Sequence, residues 1–367
     1  MKAITRRGAV TMLGGALAAP FVNRGHAGEG VVNIYNWADY FAETTLDDFT
    51  AKTGIKAVYD VYSSVEEMQA KMLAGSTGYD VIVLAGIDVG RFAKSGVVAK
   101  LDRAKLPGWG NLDPEIMRIL SGWDAGNEHG IPYMWGSTGM TYNTGLVEQV
   151  LPGADLGSLD LVFKPENAAK LAEIGLSMLD SPFDVFALAL KYLGLDGDTT
   201  NLGDYDKVVE LFKPIRQHIR TFDNENNVSA LANGEIGVAN SWSGQAVTAQ
   251  KNADEAGLKA KFSYQVPVTG GPIWVDTFCV PADAPNKDNA HAFLDFMLDP
   301  VNVAKCTDYT YYANGNAAAK AHVAPDVLAN PAIYPDAATM ARLWAPKPFS
   351  EEQDRAITRA WQTIKTG

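Results

Sequence analysis

Residues 32–84 read as strand, helix, strand, helix, strand, and that alternation at such short spacing leaves little room for anything but an α/β fold built on a parallel sheet. Val32, Ile34 and Tyr35 are strand residues, and the strand gives out at Asn36. A helix follows through Thr53, capped by Thr44 or Thr45, with Leu46 and Phe49 facing inward and Gly54 as its stop. Residues 55–62 form the next strand. Ser64 and Glu67 make a capping box for a helix carrying Val65, Met68, Met72 and Leu73, which ends at Gly75. The third strand, 80–84, contains VIVL, the continuous apolar run of a strand covered on both faces.

Residues 132–142 (PYMWGSTGMTY) have another character: extended, aromatic at the start, with Gly136 and Gly139 flanking Ser137 and Thr138. They read as a crossing between two lobes, whose glycines absorb a hinge's backbone change; a tight loop over one sheet is the competing reading. Helical patterns then occupy 164–174, 183–193, 206–217 and 228–233, with strands near 237–241 and 262–266. Residues 271–281 (GPIWVDTFCVP) are a return crossing, 288–298 a helix that rejoins the first lobe, and the last helices from Asp336 pack on the second. The resulting division is 28–137 plus 277–317 for lobe 1 and 138–276 plus 318–367 for lobe 2.

Residues 1–27 stand apart. Lys2, Arg6 and Arg7 precede a mildly apolar run and the small residues Gly25-His26-Ala27, the pattern of a cleaved export signal, with Thr5-Arg6-Arg7 similar to a twin-arginine start. The run is shorter than the roughly 20 residues of a membrane span. Export removes four basic residues (Lys2, Arg6, Arg7, Arg24) and no acid, so the formal charge moves from −12 to −16. An acidic exported protein is a poor partner for nucleic acid or anionic lipid and a plausible one for cations. The two cysteines, Cys279 and Cys306, allow one bridge in that compartment, formed or unformed.

Catalytic and cofactor signatures do not accompany this framework. Neither HExxH, GxSxG nor GxxxxGK[ST] occurs, no two of the five histidines stand at metal-ligand spacing, and the cysteines lack a CxxC arrangement. The turns Ser76-Thr77-Gly78 and Ser137-Thr138-Gly139 could hold an anion with backbone N–H groups, a weak signal. By contrast, Trp37, Asp39 and Tyr40 follow the first strand at the carboxyl end, where open α/β sheets bind ligands. Aromatic faces around a carboxylate suit an organic cation. The plainer alternative makes Trp37 and Tyr40 core aromatics and Asp39 a helix cap.

The segments NIYNWADY at 33–40, TGIKAVYDVY at 53–62, KMLAGSTGYDV at 71–81, KLPGWGNLDPE at 105–115, PYMWGSTG at 132–139, LANGEIGVA at 231–239, VPADAPNKD at 280–288 and YANGN at 312–316 settle between these. With them the chain resembles the periplasmic polyamine-binding proteins that deliver putrescine or spermidine to ABC importers, the putrescine receptors above all. The resemblance implies a two-lobe periplasmic binding protein fold, each lobe a mixed, mostly parallel sheet flanked by helices, with the ligand cleft between lobes. It also implies no cofactor, no metal and no turnover, with a membrane permease and its ATPase as partners, while the export pattern and the lack of an obvious second apolar surface point to a periplasmic monomer. Carried over position by position, the pocket comprises Trp37, Asp39, Tyr40, Trp242, Trp274, Asp276 and Tyr312. Five further positions depart from the putrescine receptors: Ala38 and Ala85 replace small hydroxyl residues, Gln245 a carboxylate, Asp184 a glutamate and Asn224 a serine. Loss of one carboxylate leaves an ammonium group under-neutralised, so the implied ligand is a diamine, a polyamine or a related aminoalkyl monocation. A ferric-ion receptor on the same architecture, using Tyr311 and Tyr312, and a secreted amine-processing enzyme are the rival readings.

Overall fold

A computed structural model describes residues 30–367; the export signal expected at 1–27 lies outside the described residues. The opening alternation is observed as β1 (Gly30–Trp37), α1 (Thr45–Thr53), β2 (Ile55–Tyr62), α2 (Val65–Ala74), β3 (Val81–Ala85) and α3 (Gly86–Lys94). β1 pairs in parallel with β2 and β3. Two local details differ from expectation. Thr44 is the N-cap of α1, but its hydroxyl donates to Asp48 at 2.9 Å and leaves the helix backbone uncapped. Only half of the capping box of α2 forms: Ser64 Oγ accepts from the Glu67 N–H, while the Glu67 carboxylate turns to the Ser63 N–H and hydroxyl.

After α4 (Pro114–Leu120), the crossing at 132–142 is a single long strand, β4 (Gly130–Asn143), buried throughout. The chain continues through α5 (Thr144–Val150), α6 (Asp160–Phe163), α7 (Pro165–Ile174), β5 (Leu176–Met178), α8 (Pro182–Tyr192) and α9 (Gly203–Phe212). The helix expected over 206–217 starts three residues earlier and stops at Phe212, because Pro214 has no N–H to give and crowds the preceding turn. Then follow β6 (Ile219–Phe222), α10 (Asn227–Ala232), β7 (Val238–Trp242), α11 (Ser243–Glu255), β8 (Phe262–Gln265) and β9 (Gly271–Cys279). The carboxyl-terminal part contains α12 (Lys287–Leu298), α13 (Pro300–Thr310), β10 (Ala313–Asn314), α14 (Pro325–Leu328), α15 (Ala337–Met340), β11 (Leu343–Trp344) and α16 (Glu351–Thr366).

The main strand order is β2-β1-β3-β9-β4-β7-β5-β6. β4 and β9 form its centre and run antiparallel to each other. From Gly130 to Ser137, β4 pairs with β9; from Thr138 to Tyr142 it pairs with β7. On the far side, β5 runs parallel to β6 and β7. Gly136 and Gly139 lie within this strand without positive φ, so room rather than conformational freedom demands them. A Cβ on Gly136 would fall 2.5 Å from the Trp274 ring, and one on Gly139 would fall 2.3 Å from the carbonyl oxygen of Gln265.

Two large apolar cores flank this centre. One gathers Val32, Ile34, Phe49, Val81, Phe278 and Phe293; the other gathers Tyr142, Phe163, Leu171, Phe186, Phe212, Val238 and Trp361. A smaller cluster of Tyr35, Tyr62, Met68, Ile82, Leu84 and Phe92 covers the opposite face of β1 and β3, so these strands are apolar on both faces. Ala319, Val323, Val327 and Ile333 are buried in the first core and Met340 packs against it, whereas Phe349 packs against the second and α16 packs in it through Ile357, Trp361 and Ile364. Packing of the whole end from Asp336 on the second lobe is therefore corrected to Phe349 and α16. Cys279 and Cys306 are both buried free thiols, Cys306 beside the Thr45 hydroxyl at 3.4 Å and Cys279 beside Thr277 at 3.7 Å.

Candidate functional site

Side chains alternate along a strand, so Trp274 and Asp276 lie on one face of β9 while Ile273 and Val275 are buried on the other. Their ladder partners are small: Ala85 stands opposite Asp276, and Gly136 opposite Trp274. Space therefore opens above this face. β1 delivers Tyr40 to the same place after a turn at Ala38 and Asp39, where Asp39 takes φ +52, a left-handed conformation that a short polar side chain tolerates. The Tyr40 hydroxyl donates to Asp276 Oδ2 at 2.7 Å, and the Tyr133 hydroxyl donates to the Tyr40 carbonyl, which secures the turn. The ring of Tyr312 completes the group, edge-on to Trp274 at 5.0 Å and to Tyr40 at 6.1 Å between centroids.

This placement makes Asp276 a poor carboxylate when alone. Burial, with a smaller contribution from the charge of Asp184, pushes its carboxyl up to about 7 against the opposing pull of the Tyr40 hydrogen bond. A cation beside it reverses the first effect. Burial likewise raises the phenols of Tyr40 and Tyr312, the Asp276 charge adding to both, so both remain neutral hydroxyls at ordinary pH.

A second cluster lies on the other side of the β4–β9 centre. Asp184, in the first turn of α8, is buried and accepts from Ser181 Oγ at 2.7 Å, from Trp242 Nε1 at 3.3 Å and from the Thr138 hydroxyl. Desolvation raises its carboxyl and these three donors counteract the rise. Trp242 ends β7 and precedes α11. Gln245, buried in the first turn of α11, accepts from the Trp242 N–H at 3.4 Å and donates to the Asn224 carbonyl at 3.4 Å. Asn224 donates through Nδ2 to the Asp180 carbonyl at 3.1 Å, and its Oδ1 is buried without a protein partner.

Of the residues expected from the sequence, the structure brings Tyr40, Trp274, Asp276 and Tyr312 into one group with Ala85 as its floor. Asp184, Trp242, Gln245 and Asn224 form another, joined through Trp242. Trp37 is half-buried and packs on Tyr62, ring centroids 4.4 Å apart, while Ala38 and Asp39 occupy an exposed turn. Sequence reasoning passed over Thr138, Ser181 and Ser243. Ser181 was legible as the N-cap of a helix with Asp three residues later, and Thr138 appeared only as a candidate anion turn. Ser243 carries no sequence signal; it is buried, with its Oγ unpartnered, as is Nε1 of Trp274.

Cationic groups suit such a site, because each of its carboxylates stands beside an aromatic side chain, Asp276 beside Tyr40 and Asp184 beside Trp242. No helix among the described residues is long and apolar enough to cross a membrane.

The model of the bacterial extracellular solute-binding proteins matches residues 44–335 of the chain. The putrescine-binding periplasmic protein PotF of Escherichia coli (strain K12) is 41% identical over 369 residues, 100% of each chain. The putrescine-binding periplasmic protein SpuD of Pseudomonas aeruginosa is 42% identical over 359 residues, 97% of this chain and 98% of its own. Among solved structures, the spermidine/putrescine ABC transporter substrate-binding protein PotD from Streptococcus pneumoniae superposes with a TM-score of 0.77 at 25% identity, over 92% of this chain and 99% of that one. With its crossing strands β4 and β9 between two cores, and relatives matched from end to end, the chain belongs to the bacterial extracellular solute-binding proteins, among the periplasmic polyamine-binding receptors.

Proposed function

We propose that this chain is the periplasmic receptor of an ABC importer, capturing a diamine, polyamine or related aminoalkyl cation between two lobes and handing it to a membrane permease and its ATPase. Binding without turnover is the activity of its relatives. The observation that carries the reading is the Asp276 carboxylate, half-buried on the same face of β9 as Trp274 and oriented by the Tyr40 hydroxyl. An alkylammonium group there gains a charge-assisted hydrogen bond and cation–π contact, while its methylenes displace water from the rings.

Lobe 1 is proposed to comprise 28–137 and 277–317, and lobe 2 the segment 138–276 with the carboxyl-terminal helix; residues 318–340 go with lobe 1 rather than, as the sequence suggested, with 341–367 in lobe 2. Their burial in the first core supports that shift. β4 and β9 then act as the crossings, and ligand favours the closed state because only there do both clusters reach it. Removal of residues 1–27 on export and a monomeric state complete the proposal.

Against iron, Tyr311 and Tyr312 diverge: Tyr311 takes φ +58 with its ring 5.8 Å from Lys251 Nζ, whereas Tyr312 faces Trp274. Two phenolates so disposed do not share a metal.

A thermal-shift screen of the mature protein with putrescine, cadaverine, agmatine and spermidine tests the reading. A ligand at one hundred times its Kd adds about 2.7 kcal/mol of stability, a clear rise in Tm. No shift with any of these amines, and none with monoamines, overturns it.

A further inference from the structure

Beyond the cationic end, the cleft holds a second set of polar groups with a different preference. Ser243 begins α11, a helix of 13 residues, and is 98% buried, yet its Oγ has no protein partner. Trp274 Nε1 is buried and unpartnered as well. Ser243 Oγ and the Trp274 ring flank one spot: a Cβ on Gly136 would fall 2.7 Å from Ser243 Oγ and 2.5 Å from Trp274 Cζ2. The first N–H groups of any α-helix lack intrahelical acceptors, and the N-terminal end of the helix dipole is positive. Ser243 and Gly244 present such groups beside Tyr312, whose ring lies 2.6 Å from where a Gly244 Cβ would be. An indole N–H and a helix amino terminus can only donate and so ask for an acceptor, and the Ser243 hydroxyl is free to donate to the same group.

Most of the groups that could greet a second ammonium are engaged elsewhere, Asn224 Oδ1 being the one acceptor of the second cluster left without a partner. Both oxygens of Asp184 accept from protein donors, and Gln245 spends its carbonyl on the Trp242 N–H and its amide on the Asn224 carbonyl. Within the two clusters, Asp276 alone keeps a carboxylate oxygen without a protein donor.

We infer that the preferred ligand is an alkylamine with a single ammonium group, bound at Asp276, and a neutral hydrogen-bond-accepting far end, an amide carbonyl or hydroxyl, held by Ser243 Oγ, Trp274 Nε1 and the amino terminus of α11. A carboxylate end is disfavoured because Asp184, which accepts from the neighbouring Trp242 and forms no salt bridge among the described residues, contributes negative charge. This inference deepens the receptor reading and rests on it. Ser243 is then a specificity-determining residue.

Calorimetry on the full mature chain with putrescine, N-acetylputrescine, 4-aminobutanol, 4-aminobutanoate and butylamine tests it. N-acetylputrescine or 4-aminobutanol is expected to bind about tenfold or more tighter than putrescine and than butylamine, the scale of one buried hydrogen bond. In Ser243→Ala, the ratio of the N-acetylputrescine Kd to the butylamine Kd is expected to rise by about tenfold, a change that a general loss of folding does not produce. Tightest binding by putrescine, tightest binding by 4-aminobutanoate, or an unchanged ratio in Ser243→Ala overturns the inference and leaves the receptor reading standing. Failure of every amine overturns the receptor reading itself.

Discussion

Tyr40 and Asp276 stand 236 residues apart in the chain and are joined by a 2.7 Å hydrogen bond from phenol to carboxylate. The bond ties the turn after β1 to the middle of β9, and it points the one uncommitted carboxylate oxygen of the cleft away from Tyr40. Removing the charge tests its role most directly. Asp276→Asn is expected to weaken binding of any alkylammonium ligand by roughly 2 to 4 kcal/mol, the range for a buried charged hydrogen bond, as measured by calorimetry. Undiminished affinity in this variant places the cation elsewhere.

The raised carboxyl of Asp276 gives a pH dependence with a definite sign. Its acid form persists in the folded protein up to about pH 7, whereas in the unfolded chain it ionises near pH 4. The folded state thus binds more protons than the unfolded state between these values, and this group's contribution to stability falls as pH rises through about 7. Cation affinity moves the other way, rising from pH 6 to 8 as the carboxylate forms, with protons released on binding below pH 7. Calorimetry in two buffers of different ionisation enthalpy counts those protons; a count of zero at pH 6 contradicts the assignment.

In the proposed receptor, a dication would need a second anion near Gln245. Gln245→Asp is expected to tighten putrescine relative to butylamine by roughly 1 to 3 kcal/mol at a desolvated position. The Asn224 carbonyl loses its donor in the exchange, a cost common to both ligands, so the comparison isolates the charge. Equal effects on the two amines show that Gln245 does not neighbour the far end of the ligand.

The close approach of α11 to the segment after α13 depends on a glycine. A Cβ on Gly244 would lie 2.6 Å from Tyr312 Cε1 and 2.8 Å from the Tyr311 carbonyl oxygen, contacts that force α11 away from the segment after α13. Gly244→Ala is expected to keep its far-UV circular dichroism and to lose about tenfold or more in amine affinity, with a larger radius of gyration by small-angle scattering when ligand is present. Wild-type compaction and affinity would mean that this contact does not gate closure.

The sequence by itself determined the class of fold, because the signals for it are local. Apolar runs, Gly54 as a left-handed stop at φ +73, the Ser64 cap and the block imposed by Pro214 each act within a turn or two of chain. Periodicity also marked 132–142 and 271–281 as extended, and the quoted motifs named the aromatic and acidic residues of the cleft. Which of those side chains meet was decided only by tertiary structure. Asp276 acquires its partner across 236 residues, Asp184 gathers Thr138 and Trp242 from two other strands, and Gln245, read as a lost ligand carboxylate, is occupied with capping α11. The thiols of Cys279 and Cys306 stay apart, and Gly136 and Gly139 leave room for the Trp274 ring and the Gln265 carbonyl. A hydrogen bond requires its two atoms to converge within a few ångströms, and for groups a hundred residues apart that convergence is set by how the cores pack and by the register of β4 against β9, which no local pattern encodes.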